Sequence, residues 1–143
     1  MAKVNSGGGC WFAGGGVLVG SYDIGAVESI KGFIAARYKR EVTGVTDASE
    51  LILEVIGREL DLVIIDTNLK GLPPAKTVQI VKKCRPRLPV IVISDDYTVD
   101  TGSRIMEQGV FYYMYKPVEM DKLGELVERA LMKRARENLG AAG

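Results

Sequence analysis

At 143 residues the chain has the size of one domain, long enough to bury an ordinary core without disulfides or metal and too short for two full domains. Its 47% hydrophobic and 26% charged residues are those of a soluble globular protein, and 19 basic against 18 acidic side chains leave a net charge of +1, no electrostatic footprint for DNA or RNA. The histidine count of zero removes Ser/His/Asp and Cys/His triads, phosphohistidine carriers and histidine-containing metal sites, while Cys10 and Cys84 form neither a metal-binding pair nor a disulfide framework.

No stretch approaches the apolar length that spans a bilayer, and the N-terminus lacks a basic region followed by an apolar run. The expected location is the cytoplasm, with no membrane partner and no direct nucleic-acid partner. Residues 1–16 hold six of the 17 glycines in two GGG runs around Cys10, Trp11 and Phe12, a composition costly to order. They read as a flexible leader, followed by one domain over residues 17–136 and a fraying tail over 137–143.

Val17-Leu18-Val19 reads as a short buried strand, and Val27, Ile30, Ile34 and Tyr38 recur at helical spacing up to about Arg40. Val42 to Val45 is a weaker strand interrupted by Gly44. Asp47 and Glu50 then make a capping pair, with Asp in the Ser/Thr place, for a helix whose apolar face is Leu51, Ile52, Val55 and Ile56 and which Gly57 stops. Leu62 to Ile65 is the strongest strand, apolar on both faces as a central parallel strand requires.

Pro73-Pro74 starts a helix through Val78, Ile80 and Val81, since proline is tolerated in a first turn. Residues 89–93 form the next buried strand, Arg104 to Gln108 lie in a helix ended by Gly109, and Val110 to Tyr115 form an aromatic-rich strand. Leu123, Leu126, Val127, Ala130 and Leu131 give the last helix a single apolar face. Five strands alternating with five helices predict an α/β fold with a doubly wound parallel sheet, whose functional site lies at the carboxyl ends of the strands.

Asp66 follows the central strand, Ser94 the fourth and Lys116 the fifth. A carboxylate, a hydroxyl and a cation at one edge are the groups that accepting a phosphoryl group on an aspartate needs; a plain ion pair between Asp66 and Lys116 is the bland alternative. From Val17 to Arg136 the sequence resembles the receiver domain of bacterial response regulators. The resemblance rests on residues 61–66 (DLVIID), on Ile91-Val-Ile-Ser94 and on the run from Gly109 to Lys116-Pro117 (GVFYYMYKP). The spacings agree as well: 28 residues from Asp66 to Ser94, 15 more to Gly109 and 7 more to Lys116.

The resemblance implies a flavodoxin-like 2-1-3-4-5 strand order, with Asp66 as phosphoacceptor, Ser94 and Lys116 as phosphate ligands, Ser94 and Tyr113 as the switch pair, and a cis Lys116-Pro117 bond. It implies a histidine kinase or phosphotransfer protein as donor. It also implies a downstream protein or a second copy docking on the fourth helix, fifth strand and fifth helix. The protein would not be an enzyme, only a phosphoryl acceptor, and would carry no organic cofactor. Alternation along the fifth strand sends Tyr113 and Tyr115 to one side and Tyr112 to the other.

The family holds Mg²⁺ on the acceptor and an acidic pair after the first strand, and here Ser21 and Tyr22 occupy the places of that pair. Asp66, Asn68 and Asp23 are the remaining metal candidates, so Mg²⁺ binding should be weakened. Asp95-Asp96 follow Ser94 where a small uncharged residue is usual, and Lys70 and Pro74 replace the usual proline and glycine of the loop after Asp66. Two other readings stand beside the phosphoacceptor: a pseudo-receiver that binds partners without phosphorylation, and a flavodoxin-like nucleotide-binding enzyme. The latter lacks a phosphate-cradling glycine loop after the first strand, because Gly14 to Gly16 precede it.

Overall fold

The computed structural model describes residues 15–142. The expected contributions of Cys10, Trp11 and Phe12 lie outside the described residues. Within them the chain runs β1 (Gly16–Gly20), α1 (Ile24–Tyr38), β2 (Val42–Val45), α2 (Ala48–Gly57), β3 (Leu60–Asp66), α3 (Pro74–Cys84), β4 (Val90–Ser94), α4 (Val99–Met106), β5 (Tyr112–Tyr115) and α5 (Met120–Ala142). All strand pairs are parallel and the sheet order is β2-β1-β3-β4-β5, as the resemblance implied.

The period of two along each strand divides the core between the two faces of the sheet. Val17, Val19, Leu62, Ile64, Ile91 and Ile93 meet α1 and α5 on one face. Leu18, Val63, Ile65, Val90 and Val92 meet α2, α3 and Ile105 of α4 on the other. β3 is buried along its whole length, which is why its sequence shows no polar alternation. Local chemistry fixes the helix starts: Asp23 Oδ1 accepts from Ala26 N at 3.2 Å, and Asp47 Oδ1 accepts from Glu50 N at 2.9 Å. In α2 the buried face is Ala48, Leu51 and Val55, whereas Ile56, expected on it, is 57% exposed.

Regular structure runs past both expected boundaries. Gly15 and Gly16, read as leader, belong to the body: Gly16 N–H donates to Glu59 O at 3.0 Å and Gly15 N–H to Asp61 Oδ2 at 3.0 Å. A Cβ at Gly15 would lie 2.4 Å from Glu59 O and one at Gly16 2.8 Å from Glu41 O, so this close approach needs glycine. At the other end α5 continues through the expected tail to Ala142. Arg134 anchors the extension by reaching Asp61 Oδ1 at 3.4 Å and Leu60 O at 3.4 Å, and Lys133 pairs with Glu137 one turn on. Asp61 also pairs with the buried Arg40, whose guanidinium donates to Gly15 O at 2.7 Å.

Candidate functional site

Parallel pairing brings the strand ends together. Asp66 stands opposite Ile93 and Ser94 opposite Tyr115, and Lys116 N–H donates to Ser94 O at 2.9 Å. The Lys116-Pro117 bond is cis, as expected. Lys116 Nζ lies 2.9 Å from Asp66 Oδ2, so the carboxylate and the cation meet.

Asp66 is 4% exposed and each of its two oxygens carries a donor. Oδ2 accepts from Ser21 Oγ at 3.0 Å as well as from Lys116, and Oδ1 accepts from Asn68 N–H at 3.1 Å. Ser21, buried at the end of β1, therefore acts as a hydroxyl donor to the carboxylate in the place where the family carries an acid. Its Oγ also lies 3.2 Å from Asn68 Oδ1 and accepts from Asp23 N–H at 3.1 Å. Asn68 Oδ1 in turn accepts from Tyr22 N–H at 3.0 Å. The Tyr22 ring is exposed and carries the Lys70 ammonium over its face at 4.7 Å.

This donor set does not make up a site for a hard divalent cation, which wants several carboxylate or carbonyl oxygens at short fixed distances. Asp66 supplies one carboxylate already bonded to three donors. Asp23, expected as a metal candidate, caps α1: its Oδ1 accepts from Ala26 N–H at 3.2 Å and closes the first turn of the helix. No cluster of three or more His, Cys, Asp or Glu suited to a metal exists among the described residues.

The hydroxyl side of the site is closed by the loop after β4. Ser94 is fully buried, with its Oγ accepting from Asp96 N–H at 2.9 Å and from Thr67 Oγ1 at 3.3 Å. The two acids that threatened the pocket take separate paths. Asp95 is exposed, and the Asp96 carboxylate turns to α4, accepting from Thr98 N–H at 2.9 Å, Thr98 Oγ1 at 2.8 Å and Thr101 Oγ1 at 2.8 Å. Tyr113, on the face toward α4, donates from its hydroxyl to Asp96 O at 3.4 Å. Tyr97, which no sequence signal marked, donates to Lys116 O at 2.7 Å and stacks on Tyr115 at 4.8 Å. Tyr113 and Tyr115 share a side and Tyr112 packs on the other, as alternation required.

The backbone N–H of Thr98, then its hydroxyl, then that of Thr101 hold the Asp96 carboxyl below the usual aspartate range. A folded value below the unfolded one means that this cap stabilises fully above the unfolded value and is lost as pH falls through the folded one. The amide resonances of Thr98 and Thr101 should therefore titrate below the ordinary aspartate range. A midpoint within that range would show that the cap does not form.

The loop between Asp66 and α3 differs from the family pattern in residues but is pinned by backbone bonds. Leu69 N–H donates to Asp66 O at 3.0 Å, Ala48 N–H to Lys70 O at 2.7 Å, and Gly71 takes the positive φ of 109° that a side chain would strain. Proline at 73 and 74 then enters α3 without a side-chain cap.

A model of the response regulator receiver domain matches residues 23–128. The chain belongs to the response regulator receiver family. A putative NtrX-like response regulator of Rickettsia typhi is 34% identical over 122 residues, covering 78% of this chain and 25% of that protein. The DNA-binding transcriptional regulator NtrC of Azospirillum brasilense is 33% identical over 106 residues, 74% of this chain and 22% of that one. The receiver thus spans about a quarter of the length of these curated relatives. Among solved structures, the receiver domain of NtrX from Brucella abortus superposes with a TM-score of 0.74 at 26% identity, covering 81% of this chain and 98% of that one. A CheY-like receiver from Methanospirillum hungatei gives 0.80 at 20% identity over 85% and 96% of the two chains, a likeness of fold.

Proposed function

We propose that this receiver accepts a phosphoryl group on Asp66 from a histidine kinase or phosphotransfer protein, with weakened dependence on Mg²⁺, and signals through protein contacts in the cytoplasm. The observation that carries the reading is the meeting of Asp66, Lys116 and Ser94 at one sheet edge inside a chain of the receiver family. A carboxylate oxygen of Asp66 forms the new bond to phosphorus while the phosphorus–nitrogen bond of the donor breaks, and the released imidazole takes a proton from water. Lys116 offsets charge on the phosphoryl oxygens, and Ser94 donates once the Asp96 loop gives up its hydroxyl.

The signalling surface in this reading is the face of α4, β5 and α5, for a downstream partner or a second copy of the chain. Tyr97, Val99, Met106 and Tyr115 are exposed large apolar side chains of α4, β5 and the loop before α4, the type of residue that anchors contacts. The Asp96–Tyr113 contact joins that face to the acceptor loop. Receivers are signalling modules, and catalysis by the chain itself forms no part of the proposal.

The buried Ser21–Asp66 bond favours one second reading, the phosphorylation-independent pseudo-receiver, because a donor already on the carboxylate lowers its nucleophilicity. Intact-mass spectrometry after incubation with phosphoramidate separates the two. The acceptor reading expects a slow adduct of one phosphoryl group, little changed between Mg²⁺ and EDTA and absent in Asp66→Asn. No adduct after long incubation would decide for the pseudo-receiver.

A further inference from the structure

The end of the sheet opposite Asp66 holds a cavity of about 300 Å³, between the last turn of α3, the amino ends of β4 and β5, and α5. That volume is at the small end of ligand pockets. Pro89 and Phe111 supply apolar wall, while Lys82, Arg87, Lys133 and Glu137 supply charge. Three cations against one carboxylate leave the rim at 3 − 1 = +2.

The charges are not evenly compensated. Lys133 is paired with Glu137 along α5. Lys82 is half-buried and donates to the neutral Leu88 O at 3.0 Å, which leaves its charge without a carboxylate partner in hydrogen-bond contact. Burial first, then the positive charge of Lys133, push this ammonium below the usual lysine range, Arg134 adding to the effect and Glu137 opposing it. A cation held under such pressure is a group that an entering anion would relieve. Glu137 Oε1, meanwhile, is buried with no donor on it, an acceptor that favours a ligand able to donate.

An anion for Lys82 and Arg87, a flat apolar surface for Phe111 and Pro89, and a hydroxyl or amino donor for Glu137 are together the chemistry of one small ligand class. We infer that this cavity binds a phosphate ester of the nucleoside-monophosphate class, with its phosphate on Lys82 and Arg87 and its ring against Phe111 and Pro89. The site is independent of Asp66 and of the proposed phosphoryl transfer. Its occupant joins the last turns of α5 to the amino ends of β4 and β5.

The test is titration of the whole chain with AMP in low-salt buffer, followed by amide chemical shifts, with inorganic phosphate and adenosine as separate arms. AMP should shift the amides of residues 109–111 and 133–137 and bind more tightly than either fragment. Lys82→Gln and Arg87→Gln should each weaken AMP roughly tenfold, the scale of a lost charged hydrogen bond. Arg87 is exposed, so its variant carries the test even if Lys82→Gln folds poorly. Phe111→Leu should weaken AMP while leaving inorganic phosphate unchanged. The inference is overturned by silence at millimolar AMP, by shifts confined to the Asp66, Ser94 and Lys116 end, or by adenosine binding as well as AMP. Phosphate binding as tightly as AMP would overturn the assignment of the ring.

Discussion

Replacing Ser21 and Tyr22 together by aspartate should give the receiver a larger Mg²⁺-dependent gain in thermal stability than the parent chain shows, and should raise phosphorylation of Asp66 by about 100-fold in the presence of the metal. Ser21 is 1% exposed and its hydroxyl lies 3.0 Å from Asp66 Oδ2, so a carboxylate at this position faces a second one across a buried gap. Two like charges near 4 Å at an effective dielectric of 20 repel by about 4 kcal/mol, part of which Lys116 offsets, so without metal the variant should melt below the parent. With Mg²⁺ at about 100 times its dissociation constant, binding returns about 2.7 kcal/mol and the melting temperature should rise again. The same ion neutralises charge as the donor phosphate approaches, a contribution of several kcal/mol, and about 2.7 kcal/mol of it is the expected 100-fold. Tyr22 is exposed, so its replacement removes the Lys70 contact but no core packing. Thermal melts with Mg²⁺ and with EDTA decide the matter. A parent that gains as much from Mg²⁺ as the variant would show that Ser21, Tyr22 and Asn68 already hold the ion.

The groups that met expectation are those whose position follows from the period of the chain. Leu62 to Ile65 announces a central strand because both faces of a parallel sheet are covered, and the residue after such a strand must stand at its carboxyl edge; Asp66, Ser94 and Lys116 were legible on that ground. Tyr113 and Tyr112 went to the faces that alternation assigns. Less is legible where one residue type serves two ends. The nearness of Asp23 to the missing acids suggests a metal ligand, while an aspartate directly before a helix is equally suited to capping it, as Asp23 does for α1. Composition groups Gly15 and Gly16 with the leader glycines, because it carries no information about where a Cβ would collide with neighbouring backbone. The roles of Ser21 and Tyr97 depend on atoms brought together by three separate loops, and no local pattern encodes them.

Asp61 is the clearest case of structure hidden from the sequence, and truncating it should be among the most destabilising single changes in the protein. It sits between Leu60 and Leu62 in a strand that is apolar from Leu62 to Ile65, and its side chain is 8% exposed. Oδ2 accepts from Arg40 and from the Gly15 N–H, and Oδ1 faces Arg134 of α5 at 3.4 Å. The carboxylate thus ties the entry into β1, the start of β3 and the far part of α5 at one point. Asp61→Ala takes away the carboxylate that Arg40 and Arg134 both pair with, and their side chains are only 4% and 16% exposed. Breaking a buried pair in this way costs about 3–5 kcal/mol, a large share of the 5–15 kcal/mol that a domain of this kind possesses. Arg104→Ala is the contrast: its bond to Asp100 joins side chains 67% and 77% exposed, and its loss should cost about 0.5 kcal/mol or less. Urea unfolding should separate the two by several kcal/mol. Replacing both partners, Arg40→Met with Asp61→Leu, should recover part of the Asp61→Ala loss, since it removes the more deeply buried of the two cations along with the pair and leaves Arg134. If Asp61→Ala unfolds at the same urea concentration as Arg104→Ala, the network at the base of the sheet contributes nothing to stability and the account of how α5 is anchored falls with it.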